Sequence, residues 1–147
     1  MSPSCALAVA AVPADSRFVS ALLSWHVDLR VDGPDLRRAR DQVCDALATW
    51  EITNVVTVHE ALVVVSELVG NALRYGGEVV SVELDLRTDG IVISVLDSSP
   101  VLPRPRLAGD DDEGGRGLHL VNALSVVWGA KPVAGGKRVW ALIRLPH

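Results

Sequence analysis

Cysteine is scarce in this chain, aromatic residues make up only 4%, and positive charge is in the minority. Cys5 and Cys44 lie far apart and form no Cys-x-x-Cys pair, which excludes a disulfide framework and a zinc or dithiol site. His26, His59, His119 and His147 show no paired ligand spacing, so a histidine metal centre is not expected either. With 14 Lys and Arg against 18 Asp and Glu, the net charge of −4 argues against direct binding of nucleic acid or an anionic membrane. No apolar stretch reads as the ~20 residues of a membrane helix. Residues 5–12 followed by Pro13-Ala14 have the outline of a short signal segment but no Lys or Arg before them, so a reducing cytoplasm is the expected location.

What remains is material for one domain. The chain is 147 residues long and 49% hydrophobic, enough to bury roughly 68–70% of its unfolded surface without a disulfide or metal. Residues 1–20 read as a flexible leader and 24–145 as the domain. Trp25, Val27, Leu29 and Val31 alternate with polar residues, the period of a strand with one buried face. After Gly33-Pro34-Asp35, the spacing of Leu36, Ala39, Val43, Ala46, Leu47 and Trp50 predicts an amphipathic helix. A second helix is expected over 56–75, ended by Gly76-Gly77. Segments 79–86 and 91–96 flank Thr88-Asp89-Gly90 and predict a hairpin. Residues 101–116 carry three prolines, an aspartate run and several glycines, the composition of a binding loop or lid. A short helix around Leu118 to Leu124 and two strands, 126–128 and 139–145, complete the order. The expected fold class is α/β, an α+β two-layer sandwich with a mixed β-sheet covered on one face by helices.

Three clusters carry candidate chemistry. Glu67 and Asn71 are four apart on the second helix and share a face. A carboxylate and a carboxamide so placed suit a base and a magnesium ligand, since magnesium takes oxygen ligands and keeps several waters; a solvated pair has the same spacing. Asp97 ends an apolar strand, where it would accept a hydrogen bond from an exocyclic amine or close a turn on nearby amides. In Glu113-Gly114-Gly115-Arg116-Gly117-Leu118, glycines free the backbone to approach a polyanion at a helix start, or serve only as a joint.

Together and in this order, the clusters resemble the ATP-binding domain of the gyrase, histidine-kinase and MutL superfamily (GHKL), the Bergerat fold. Within it the chain is similar to the anti-sigma-factor serine/threonine kinases and to actinobacterial histidine-kinase-like ATPase proteins. Glu67-Leu68-Val69-Gly70-Asn71-Ala72-Leu73-Arg74-Tyr75-Gly76 matches the N box. Asp97 matches the aspartate of the first glycine box. Gly115-Arg116-Gly117-Leu118-His119-Leu120-Val121 with Val127-Trp128-Gly129 matches the second glycine box and the following strand.

The resemblance implies ATP and Mg²⁺ as cofactors. Asn71 would ligate magnesium, Glu67 would act as general base, and Asp97 would bond the adenine amino group. Gly115, Arg116, Gly117 and Leu118 would meet the phosphates, with Arg74 at phosphate or a partner and 101–114 as the lid. It further implies phosphorylation of an anti-anti-sigma, STAS-type partner, sequestration of a sigma factor, and a possible homodimer. The alternative is a non-catalytic module of the same fold that sequesters a regulator. Three departures stand out: Tyr75 where the family commonly has His, Ser98-Ser99-Pro100 where glycines usually follow the aspartate, and the acidic run Asp110-Asp111-Asp112-Glu113 in the lid.

Overall fold

The computed structural model describes residues 5–6, 21–29, 36–75, 78–99 and 113–146, without the side chains of 5, 6, 75, 80 and 113–118. In chain order the elements are β1 (Cys5–Ala6), β2 (Leu23–Asp28), α1 (Leu36–Thr49), α2 (Val55–Tyr75), β3 (Val79–Arg87), β4 (Gly90–Asp97), α3 (Glu113–Leu124), β5 (Val127–Val133) and β6 (Gly136–Ile143). The sheet order is β1-β2-β3-β4-β6-β5. The three helices form the second layer, giving the expected α+β two-layer fold.

The sheet is antiparallel at every described pairing rather than mixed. Two helices separate β2 from β3, so the chain reverses three times, an odd number, and β3 returns antiparallel against β2. The single crossover through α3 does set β5 in the direction of β4. The hairpin partner β6 then inserts between them, and no parallel pair forms.

Period two decides which side chains enter the core. Trp25, Leu84, Ile93, Ala141 and Trp128 stand in register across five strands, on the face that the helices cover. From the helices come Ala39, Val43, Ala46 and Leu47 of α1, and Ala61, Val64, Val65, Leu68, Val69 and Ala72 of α2. By length and composition the segment Val55–Arg74 does reach what a membrane helix needs, contrary to the sequence reading. Its apolar stripe is instead packed against α1, α3 and the sheet, and its polar residues recur on the opposite face.

The other face of the sheet carries a second buried cluster, Val92, Trp140 and Leu142. Beside it Arg138 donates to Glu83 at 2.9 Å and Ser24 donates to Asp85 at 2.6 Å. His26 pairs with Glu83 at 3.2 Å, and this bond raises its pKa against the effect of partial burial. Burial opposes ionisation of Glu83, yet the bonds from His26 and Arg138 prevail and lower its pKa. For Asp85 burial wins, and its pKa is raised.

Strand ends differ from expectation where local chemistry intervenes. β5 runs to Val133, beyond the expected 126–128, and as an edge strand it tolerates Pro132, which donates no ladder bond. β6 begins at Gly136 and not at Val139, because Lys137 and Arg138, polar as they are, are buried.

Candidate functional site

The site is assembled at one end of the sheet. β4 terminates there in Asp97, in register with Val79 at the start of β3 and Lys137 at the start of β6. Only three residues separate Tyr75, the last of α2, from Val79, a span of at most about 14 Å between their Cα atoms. The Asn71 end of α2 and the Asp97 end of β4 are therefore neighbours. Ser98 fastens the junction: its amide donates to the Glu78 carbonyl at 3.0 Å and its hydroxyl accepts from the Glu78 amide at 3.1 Å. Gly136 makes the approach of β6 possible, since a Cβ there would lie 1.8 Å from the Asp97 carbonyl oxygen.

Glu67 and Asn71 lie on α2, one turn apart, both half-buried. Gly70 shares their face and opens onto space, since a methyl group at that position would meet nothing within 4 Å. Arg74 extends the row by another turn and is exposed. The row lies clear of the core stripe formed by Ala61, Val64, Val65, Leu68 and Ala72. Asn54 starts this helix: its side-chain oxygen accepts from the Thr57 amide at 3.0 Å, an N-cap the sequence reading missed.

Asp97 is 3% exposed, and its two oxygens have different fates. Oδ1 accepts from the Ser99 amide at 2.8 Å and from Lys137 Nζ at 3.0 Å. Oδ2 is buried and has no hydrogen-bond partner among the described residues. A buried carboxylate oxygen without a partner is costly, so the atom has unused capacity to accept a donor. Oδ1 thus takes the turn role that the sequence left open, through the Ser99 amide.

α3 begins at Glu113, earlier than the expected start near Leu118. Gly114, Gly115 and Arg116 therefore lie in its first turn, whose amides have no intrahelical acceptor. Gly117 and Leu118 follow in the second. Ser125 and Val126 alone join α3 to β5, whose first residue pairs with Leu142 at the end remote from Asp97. The helix spans about 18 Å and packs along α2 and β5, so its N-terminus points back to the Asp97 end. Residues 101–112 of the expected lid, its acidic run before Glu113, and the Gly76-Gly77 stop lie outside the described residues. The phosphate contact expected of the Arg116 side chain lies outside them too.

A helix face bearing Glu67 and Asn71, a strand-end carboxylate and a glycine-rich helix start thus converge on one end of the domain. The family model of the histidine kinase-like ATPase domain matches residues 30–142. The chain belongs to this family. No curated protein matches it. Membership makes the chain an ATP-binding domain of GHKL type. Among the described residues, no three His, Cys, Asp or Glu side chains are grouped to hold a metal. A magnesium ion at Asn71 would then complete its shell with phosphate oxygens and water, in keeping with its chemistry.

Lys137 is the site residue that sequence reasoning missed. The signal was present: period two along β6 puts Lys137 on the inward side with Val139, Ala141 and Ile143. A lysine there needs a buried anion, and the register supplies Asp97.

Proposed function

We propose that this histidine kinase-like ATPase domain is a cytoplasmic, Mg-ATP-dependent protein serine/threonine kinase of the anti-sigma type. Its acceptor would be a serine or threonine of an anti-anti-sigma, STAS-type partner, so that transcription is regulated by partner switching. The observation that carries the reading is the unpartnered, buried Oδ2 of Asp97 at the same end of the domain as Glu67 and Asn71. Bound ATP supplies the phosphoryl group, and magnesium spreads its negative charge.

The chain's own residues would do the rest. Asp97 accepts the 6-amino group and sets the base. Asn71 offers its side-chain oxygen to the metal. The first-turn amides of α3, around Gly115, face the phosphates with the positive end of the helix. Glu67, half-buried and one turn from Asn71, takes the proton of the incoming hydroxyl. Phosphoryl transfer depends mostly on positioning and charge stabilisation, so this small set suffices.

The test is melting temperature against ATP, with and without Mg²⁺, followed by transfer of labelled phosphate to a STAS-type protein. ATP at a hundred times its Kd raises stability by about 2.7 kcal/mol. Label on a partner serine or threonine is the expected result. Free phosphate with no labelled protein would make the chain a plain ATPase, and no thermal shift at millimolar ATP would end the nucleotide reading.

A further inference from the structure

Ser66 directly precedes Glu67 on α2, and its hydroxyl makes two bonds. It donates to the Leu62 carbonyl at 2.6 Å and accepts from the Arg40 guanidinium of α1 at 2.5 Å. Arg40 is exposed, and a guanidinium offers several N–H groups, so donors remain for a group outside the chain. Gly70 lies one turn beyond Ser66 with open space above it. The start of α1 also carries Arg37 and Arg38 and has no acid in its first turn, so the positive end of that helix is reinforced rather than offset. Together these residues make a notch with a glycine floor and a cationic wall, in a chain whose net charge is −4.

The notch lies on one particular flank of the site. α1 packs on β2 and β3, α2 mainly on β4 and β6, and α3 on β5, so α2 is the middle helix. Ser66 faces α1 through its bond to Arg40. Helical period turns Gly70 about 40° from Ser66, Glu67 about 100° and Asn71 about 140°, which carries Asn71 round to the α3 side. Across the exposed surface the order is therefore Arg40, Gly70, Glu67, Asn71 and α3. In the reading above, the phosphates belong at the Asn71 and α3 end. Phosphoryl transfer keeps the attacking and leaving oxygens roughly in line, so the acceptor enters from the α1 side, over Gly70 and past Arg40.

We propose that this notch docks an acidic side chain of the acceptor protein, beside the hydroxyl that receives the phosphoryl group. The proposal rests on the kinase reading and assigns the residues that bind its acceptor. The planar guanidinium of Arg40 meets a carboxylate in a bidentate pair, and Ser66 holds it next to Glu67. Gly70 leaves room for the incoming side chain. Arg40 takes no part in binding the nucleotide.

The experiment uses the whole chain and the STAS-type protein that takes label in the transfer assay. It measures KM for that acceptor, with the Mg-ATP melting shift of each variant alongside. Arg40→Ala is expected to raise the acceptor KM at least about tenfold, the scale of one charge-assisted hydrogen bond, and to leave the Mg-ATP shift unchanged. Arg40→Glu raises KM further. One acidic residue of the acceptor near the phosphorylated hydroxyl, changed to Lys, then restores the KM of Arg40→Glu while weakening that of the wild type. An unmoved KM in Arg40→Ala overturns the proposal, as does a charge swap that restores nothing. Loss of the Mg-ATP shift in Arg40→Ala overturns it too, by assigning the arginine to the nucleotide.

Gly70→Leu carries the same test if the Arg40 variants do not fold. Leucine is the better helix former, so the ligand-free melting temperature is expected to rise while the filled floor raises the acceptor KM. A purely structural Arg40 would lower the melting temperature and leave KM where it was. A wild type that shifts with Mg-ATP but labels no STAS-type protein overturns the kinase reading and this inference with it. A labelled acceptor whose KM neither Arg40→Ala nor Gly70→Leu moves overturns this inference alone.

Discussion

The Thr57 amide donates to the side-chain oxygen of Asn54 at 3.0 Å, closing the first turn of the helix that carries Glu67 and Asn71. The Thr57 hydroxyl adds a longer contact to the same atom at 3.3 Å. Asn54→Ala removes this cap, and the expected cost is about 1 kcal/mol. For a domain of this length, that lowers the melting temperature by roughly 2–4 °C. Thermal unfolding followed by circular dichroism measures it, and a change below half a degree would show the cap to be idle.

Glu51 closes α1 with φ at 60°, the left-handed region. The amide of Ile52 donates to the Leu47 carbonyl at 2.8 Å and that of Glu51 to Ala48 at 3.0 Å, the bonding of a Schellman end with Glu51 in the glycine position. Glu51→Gly relieves the left-handed penalty and should stabilise the fold by about 1 kcal/mol, net of the greater freedom glycine has when unfolded. Denaturant titration is the check; a lower midpoint at unchanged slope would refute the strain.

Asp85 lies on the sheet face that the helices do not cover, 1% exposed, with Oδ2 unpartnered. Burial raises its pKa, so folding favours the protonated acid. Its contribution is most favourable below the unfolded value near ~3.9. That contribution is lost as pH rises from there through the raised folded value, and above that value the cost is constant. Asp85→Asn cannot titrate. Its melting temperature relative to wild type is therefore expected to climb as pH rises from 4 towards 8 and then level off. A difference independent of pH would show that the carboxylate pays no burial penalty.

Asn71→Ala and Glu67→Gln separate binding from transfer. The first should abolish the magnesium-dependent part of the ATP melting shift. The second should keep that shift and lower phosphate transfer at least about a hundredfold, the scale of lost general-base catalysis. A Glu67→Gln variant that transfers phosphate at the wild-type rate would remove Glu67 from the chemistry.

Much of this was legible in the chain. The 3.6-residue stripe from Val58 to Ala72 gave α2 to within a residue, because twenty positions of consistent period leave little choice. The Asp-Gly signal gave the hairpin, with Arg87 and Gly90 opposite one another. Local pattern cannot report pairing across the sheet, and the misses follow from that. β6 inserts between β4 and β5, which decides the antiparallel sheet, and Lys137 becomes meaningful only once it stands opposite Asp97. Pro132 hid the length of β5 because its tolerance depends on the strand lying at an edge. The motif residues Glu67, Asn71 and Asp97 were found individually; their common end of the domain is a product of topology.

The place of β6 has a consequence for synthesis of the chain. It is buried along its whole length, between a strand made some forty residues earlier and one made just before it. Until Ile143 has left the ribosome, β4 offers an unpaired apolar edge, and Asp97 waits for Lys137. A nascent chain stalled or cleaved before that point would display Ile91, Ile93 and Val95 on an open strand, the kind of edge that recruits other chains. The Asp97–Lys137 pair and the closed sheet therefore come into being together, with the arrival of β6.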